Sequence, residues 1–303
     1  MLTFSLLVWG EDYFRFYAPT GGVYMNASFE QDETVQVDIT VEHEGVAISD
    51  WFMALSTGNS GDYTTRIVEQ GSYSLDYQVY IESPPSTSVM MAPPQSLTVD
   101  NVITSTDFSA VAATVEQVSF TIYFYLESGQ FSASGDYTDT LTLTLYEGDY
   151  SDSGTHVEAD STDIVIYGRM AELIDIYADR ESDISYMDLT TDSTDKLIAT
   201  VYERSNSNLG YEVTIRSTNM AADSTATSPF MDHESSADRL EYSLTYDSVA
   251  VTGWSSGSAL ITDSSGITSP EWLSKELDLS YTGDPDLASG EYEDILTVII
   301  TAK

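Results

Sequence analysis

The sequence has no cysteine, which excludes disulfides, thiolate metal sites and thiol catalysis. It is also poor in basic residues: 10 Lys and Arg stand against 50 Asp and Glu, for a formal net charge of −40. That imbalance argues against nucleic acid as a partner, since its backbone would be repelled rather than neutralised. It argues against an anionic membrane surface on the same ground. Runs of about 18 apolar residues are missing, so no transmembrane helix and no direct membrane insertion are expected. There is no convincing long amphipathic helix. The three histidines lack the spacing of a zinc site. No nucleophile elbow, phosphate loop or dinucleotide fingerprint occurs. Carboxylate pairs can always be found among 50 acids and carry no information. The chain is expected not to be an enzyme.

What the sequence does contain is tyrosine, 21 residues of it, with abundant Ser and Thr in short alternating runs. Such runs favour strands. Leu2, Phe4, Leu6 and Val8 alternate with Thr3, Ser5, Leu7 and Trp9 in a first strand, 2–9. This opening faintly resembles a signal-peptide core but lacks a basic start and a small-residue cleavage site, so it is expected to be retained and structured. Further strands are read over 12–17, 34–41, 51–61 (ending in a Gly/Asn turn), 73–80 and 115–126. The next, beginning at Tyr137, is expected to form a hairpin with 115–126. Residues 149–163 read as a polar loop leaving the first domain, followed by a short strand, 164–168.

The second half replays the first. Ser134-Gly-Asp-Tyr-Thr-Asp-Thr-Leu-Thr returns as Ser289-Gly-Glu-Tyr-Glu-Asp-Ile-Leu-Thr, with Tyr137 and Tyr292 separated by 155 residues. Asn59 and Asn219 are separated by 160, and Leu75 and Leu240 by 165. Ordered matches whose offsets drift only at loops indicate duplication of a whole domain. The expected fold is all-β: two tandem immunoglobulin-like β-sandwich domains, 1–160 and 161–303. The C-terminal domain is expected to lack its last strand.

The run Phe120-Thr-Ile-Tyr-Phe-Tyr, Gly129-Gln and Ser134-Gly-Asp-Tyr-Thr-Asp-Thr-Leu-Thr-Leu-Thr-Leu resembles the closing half of the spore coat protein U domain. Ser56-Thr-Gly-Asn-Ser-Gly, Arg66 and Leu75-Asp-Tyr-Gln-Val-Tyr80 are similar to its middle, and the second half of the chain is a looser match. The resemblance implies a secreted fibre subunit of an archaic chaperone–usher pilus. In that family an incomplete sandwich is filled by the N-terminal strand of the next subunit, and tip adhesins carry two domains.

A terminal strand presenting Ile295, Leu296, Val298 and Ile300 would leave an unpaired apolar edge, which natural proteins avoid. In the first domain, Ile164 to Gly168 could cover the equivalent edge. The unassigned apolar strand is 2–9, with Leu2, Phe4, Leu6 and Val8 as plugs worth roughly 6–12 kcal/mol gross. A head-to-tail contact of this kind builds a filament. The same segment could equally be the first strand of domain 1's own sheet. The expected protein is thus a structural subunit of an extracellular cell-surface filament. It would polymerise with itself by strand donation, with a periplasmic chaperone and an outer-membrane usher as partners. The alternative is a two-domain tip adhesin or a carbohydrate-binding surface protein. Tyr63, Tyr73 and Trp254 are candidates for sugar contacts, although strand aromatics normally pack in cores. No cofactor is expected; Asp149, Asp152, Asp160 and Asp163 are weak candidates for Ca²⁺.

Overall fold

The computed structural model describes residues 12–17, 21–104, 108, 111–182 and 187–303. The chain divides into two compact units, Met1–Ala171 and Glu172–Lys303. The boundary falls beyond the expected 160, because the strand that follows 149–156 is bonded into the first unit.

The first unit contains β1 (Tyr13–Tyr17), β2 (Val23–Ala27), β3 (Glu33–Gly45), β4 (Trp51–Leu55), β5 (Arg66–Gln70), β6 (Tyr73–Tyr80), β7 (Ile103–Thr104), β8 (Val111–Leu126), β9 (Gly135–Glu147) and β10 (Val157–Met170). One layer is β1-β3-β8, continued by the end of β6; the other is β5-β9-β10-β2, with β4 and β7 attached. β6 belongs to both, pairing through Tyr73–Tyr77 with β5 and through Gln78–Tyr80 with β8. Alternation along the long strands puts Ile122, Phe124 and Leu126 of β8 opposite Leu141, Leu143 and Leu145 of β9 in one core.

β8 is not the hairpin partner of β9. It pairs with β3 along nearly its whole length and with β6 beyond it. Both of its edges are therefore taken, and the chain crosses to the other layer through residues 127–134 before β9 begins. The polar stretch read as a loop also differs. From Val157 onward it is strand, antiparallel to β9. The first half of β10 is mostly exposed, so backbone pairing holds it without an apolar alternation to reveal it.

The second unit contains β11 (Ile174–Arg180), β12 (Ser193–Ser205), β13 (Tyr211–Ser217), helix α1 (Thr218–Ala222), β14 (Phe230–His233), β15 (Arg239–Glu241), β16 (Ser243–Tyr246), β17 (Val249–Ala250), β18 (Ser258–Asp263), β19 (Leu273–Tyr281), β20 (Tyr292–Glu293) and β21 (Leu296–Ala302). Its sheets run β11-β12-β19-β16-β17, β18-β13-β21 and β15-β14-β20. β11 lies on β12 as β1 lies on β3, and β19 covers β12 as β8 covers β3. Among the described residues no helix is long and apolar enough to cross a membrane.

Candidate functional site

Each unit carries the repeated motif at the start of a late strand, and the motif is an anchor. Tyr137 donates from its hydroxyl to the Ala133 carbonyl and to Ser132 Oγ at 3.0 Å. Tyr292 donates to the Ala288 carbonyl at 3.1 Å. In both, a tyrosine reaches back four residues and pins the turn before its strand, the tyrosine corner of immunoglobulin-like sandwiches. The motif glycine precedes it with φ of 139° at Gly135 and 157° at Gly290. A Cβ at Gly135 would strike the Gln70 side chain, and one at Gly290 the His233 ring.

The motif aspartate carries the rest. Asp139 accepts from the Tyr77 hydroxyl at 2.6 Å and from the Asn59 N–H at 2.9 Å. Asp294 accepts from the Tyr242 hydroxyl at 2.5 Å, from Ser217 Oγ at 2.6 Å and from the Asn219 N–H at 3.1 Å. The asparagine amides close the set, Asn59 onto the Thr138 carbonyl and Asn219 onto the Glu293 carbonyl. Burial, then the Asp139 hydrogen bond and charge, push the Tyr77 hydroxyl far above its ordinary range. Burial, then the Asp294 charge and hydrogen bond, do the same to Tyr242. Both phenols are therefore permanent donors at ordinary pH. The sequence showed the aspartate and asparagine as matching letters. Their partnership with Tyr77 and Tyr242 spans dozens of residues and was signalled only by the tyrosine of the twin L-x-Y strands.

With the strands anchored alike, their edges differ. β9 pairs on one edge with β4, and with β5 at Glu69–Thr138. On its other edge it pairs with β10 from Gly135 to Glu147. β10 directs Ile164, Ile166 and Met170 into the core. Beneath it Leu141, Leu143 and Leu145 are each 0% exposed. β21 pairs on one edge with β13, from Tyr211–Ala302 to Ser217–Leu296. Among the described residues no strand lies on its other edge. Leu296, Val298 and Ile300 occupy the positions of Leu141, Leu143 and Leu145, yet all three are only half-buried. The cores reflect this. Among the described residues the first has 27 buried members and 8 partly buried ones packed against it, the second 12 and 11.

Of the expected edge residues, Leu296 and Val298 pack against the second core, and Ile300 is half-buried on the same face. Ile295 is not on that face. It is 56% exposed, because Asp294 must face inward to reach Tyr242 and Ser217, and alternation sends its neighbour outward. Leu2, Phe4, Leu6 and Val8 lie outside the described residues. The acidic residues considered for Ca²⁺ serve separate ends. Asp149 accepts from Ser151 N–H and Oγ at 2.8 Å, and Asp152 from the Gly154 N–H at 3.1 Å. Asp160 accepts from the Phe16 N–H at 2.8 Å, and Asp163 from Thr142 Oγ1 at 3.0 Å. Among the described residues no group of three or more His, Asp or Glu is placed to hold a metal ion.

A sandwich with a tyrosine-corner strand, β9, closed by β10 defines the fold of the first unit. Its residues 23–144 match the family model of the Spore Coat Protein U domain. The match starts with β2 and stops within β9, short of β10. A search of curated proteins gave no match. Among solved structures, one similar chain comes from the CsuC–CsuE chaperone–tip adhesion subunit complex of the archaic chaperone–usher Csu pili of Acinetobacter baumannii. It is 11% identical over 93% of this chain and 99% of that one, with a TM-score of 0.37. A mutant of the CFA/I adhesin CfaE of enterotoxigenic E. coli is 11% identical over 95% and 93%, with a TM-score of 0.42. The CssB subunit of colonization factor CS6 of enterotoxigenic Escherichia coli, complemented with a donor strand from CssA, is 15% identical over 52% and 97%, with a TM-score of 0.26. All three are distant likenesses.

Proposed function

We propose that this chain is a structural, non-catalytic subunit of an extracellular, pilus-type surface filament, joined to its neighbour by a strand added to the open edge of β21. One observation carries the reading. Equivalent leucines are sealed beneath β10 in the first unit, while Leu296, Val298 and Ile300 stay half-buried beside an edge that no described strand pairs in the second. Strand addition would supply main-chain hydrogen bonds and alternate apolar plugs. β10 is a template for what the second unit needs: inward-facing Ile164, Ile166 and Met170 at even spacing. Leu2, Phe4, Leu6 and Val8 repeat that period, which makes 2–9 of another copy the proposed donor. Before assembly the open edge would need cover. A periplasmic chaperone, followed by an outer-membrane usher, fits the family resemblance.

A second reading rests on β10 itself. Because it closes the first unit from within the chain, a copy that accepts a strand but donates none would sit at a filament end, as a tip adhesin does. Deleting residues 1–10 separates the two. Loss of filaments by electron microscopy, with folded monomers remaining, is the expected result. Unchanged filaments would overturn donation by this segment. Truncated copies found only at the ends of full-length filaments would show that acceptance survives without donation.

A further inference from the structure

The first unit has another feature, independent of the open edge. Where β6 passes from β5 to β8, between Tyr77 and Gln78, the two layers part. A cleft of about 350 Å³ opens there, within the range of small-ligand sites. Three half-buried tyrosines, Tyr63, Tyr80 and Tyr125, line it, with the carboxylates of Asp76 and Glu127 exposed beside them.

The walls are held in place. The Tyr63 hydroxyl donates to the Ala92 carbonyl at 3.1 Å and the Tyr125 hydroxyl to Asp32 at 2.8 Å. The Tyr80 and Tyr125 rings stand 6.1 Å apart at 59°, forming a corner rather than a stack on each other. The floor is closed chemically. The Gln78 amide is spent on the Tyr63 and Thr64 carbonyls, and its oxygen takes bonds from Arg66 and from the Val79 N–H. Arg66 lies fully buried, donating to the carbonyls of Ser56 and Met90. Among the described residues no exposed cation lines the cleft.

Fixed aromatic planes suit a ligand with an apolar face, and rim carboxylates suit one whose edge is rich in hydroxyls. Carboxylates without a cation, on a chain of net charge −40, turn away phosphates, uronates and sialic acids. We propose that this cleft binds a neutral sugar unit of a glycan, its face on the Tyr80–Tyr125 corner and its hydroxyls on Asp76 and Glu127. Tyr63 and Tyr125, already locked by their own hydroxyl bonds, lose little freedom on binding.

The test applies the full chain to an array carrying neutral and acidic glycans, then titrates the retained glycans calorimetrically. Wild type is compared with Asp76→Asn, Tyr125→Ala and, as a surface control, Tyr167→Ala. Retention of neutral glycans is expected, with binding roughly tenfold weaker in the first two variants and unchanged in the control. If Tyr125→Ala does not fold, judged by its melting curve, Asp76→Asn decides, since its exposed carboxylate can lose its charge without disturbing the core. The proposal is overturned by no neutral glycan held at millimolar concentration, by preference for acidic glycans, or by binding indifferent to both cleft variants. Filament formation is read separately, so either idea can fail alone.

Discussion

Leu296 gives the most direct measure of the open edge. Its counterpart Leu141 is 0% exposed beneath β10, and truncating a fully buried leucine to alanine costs about 2–5 kcal/mol. Leu296 keeps part of its surface in water. Since transfer free energy follows apolar area, Leu296→Ala alone should cost only ~1–2 kcal/mol. A strand laid on the edge would cover the remainder of that side chain. The variant should then bind that strand more weakly by the balance, ~1–2 kcal/mol, or about 5–30-fold in affinity. The assay is fluorescence anisotropy of a labelled peptide of residues 1–11 titrated with the chain lacking residues 1–10. Ile299→Ala is the internal control: it lies on the opposite face of β21 and is already 44% exposed, so affinity should not change. Equal effects of the two variants, or no peptide binding at millimolar concentration, would refute the reasoning.

Two further outcomes follow from the anchors and the turns. Asp139→Ala strips the Tyr77 hydroxyl and the Asn59 N–H of their acceptor. It should destabilise the first unit by ~2–4 kcal/mol, seen as faster hydrogen exchange confined to that unit; Asp294→Ala should do the converse. On acidification, Asp62 and Asp149 are held below the ordinary aspartate value chiefly by backbone N–H bonds from Thr64 and Ser151, and Asp188 and Asp223 chiefly by hydroxyl bonds from Thr190 and Thr225. Depressed folded values mean stabilisation present above about 3.8 and lost as pH falls through the lower folded values. Exchange at these four turns should therefore quicken only below about pH 4. Tyr77 and Tyr242, shifted upward, contribute stability fully present below about pH 10, so melting should stay flat from neutrality to that point.

Strands that alternate apolar and polar residues were readable in advance: 73–80 coincides with β6, and the long runs at 34–41 and 115–126 fell inside β3 and β8. The twin motif was legible for the same reason, since an anchor of fixed geometry demands Gly, Tyr and Asp at fixed spacing. Three things were not. Val157 to Asp163 reads as turn because its side chains meet mostly water and only its backbone is in the sheet. The placing of β8 and β9 in different layers depends on which strands already occupy β8's edges, a property of the whole topology. The cleft arises from one strand changing layers, for which no local pattern exists; Tyr63 was noted as a possible sugar contact, while Tyr73 and Trp254 pack against the cores.

β10 would also fix valence in the proposed filament. By occupying the outer edge of β9, it would withdraw the first unit from any exchange of strands and, on the proposed reading, leave one place for a neighbour's strand, at β21. A molecule with two such places could bind two neighbours at once, and its assemblies would branch and gel. Under the proposed strand donation, one place to fill and one segment to give would leave each copy with two ends of opposite kind, and growth would be linear and polar.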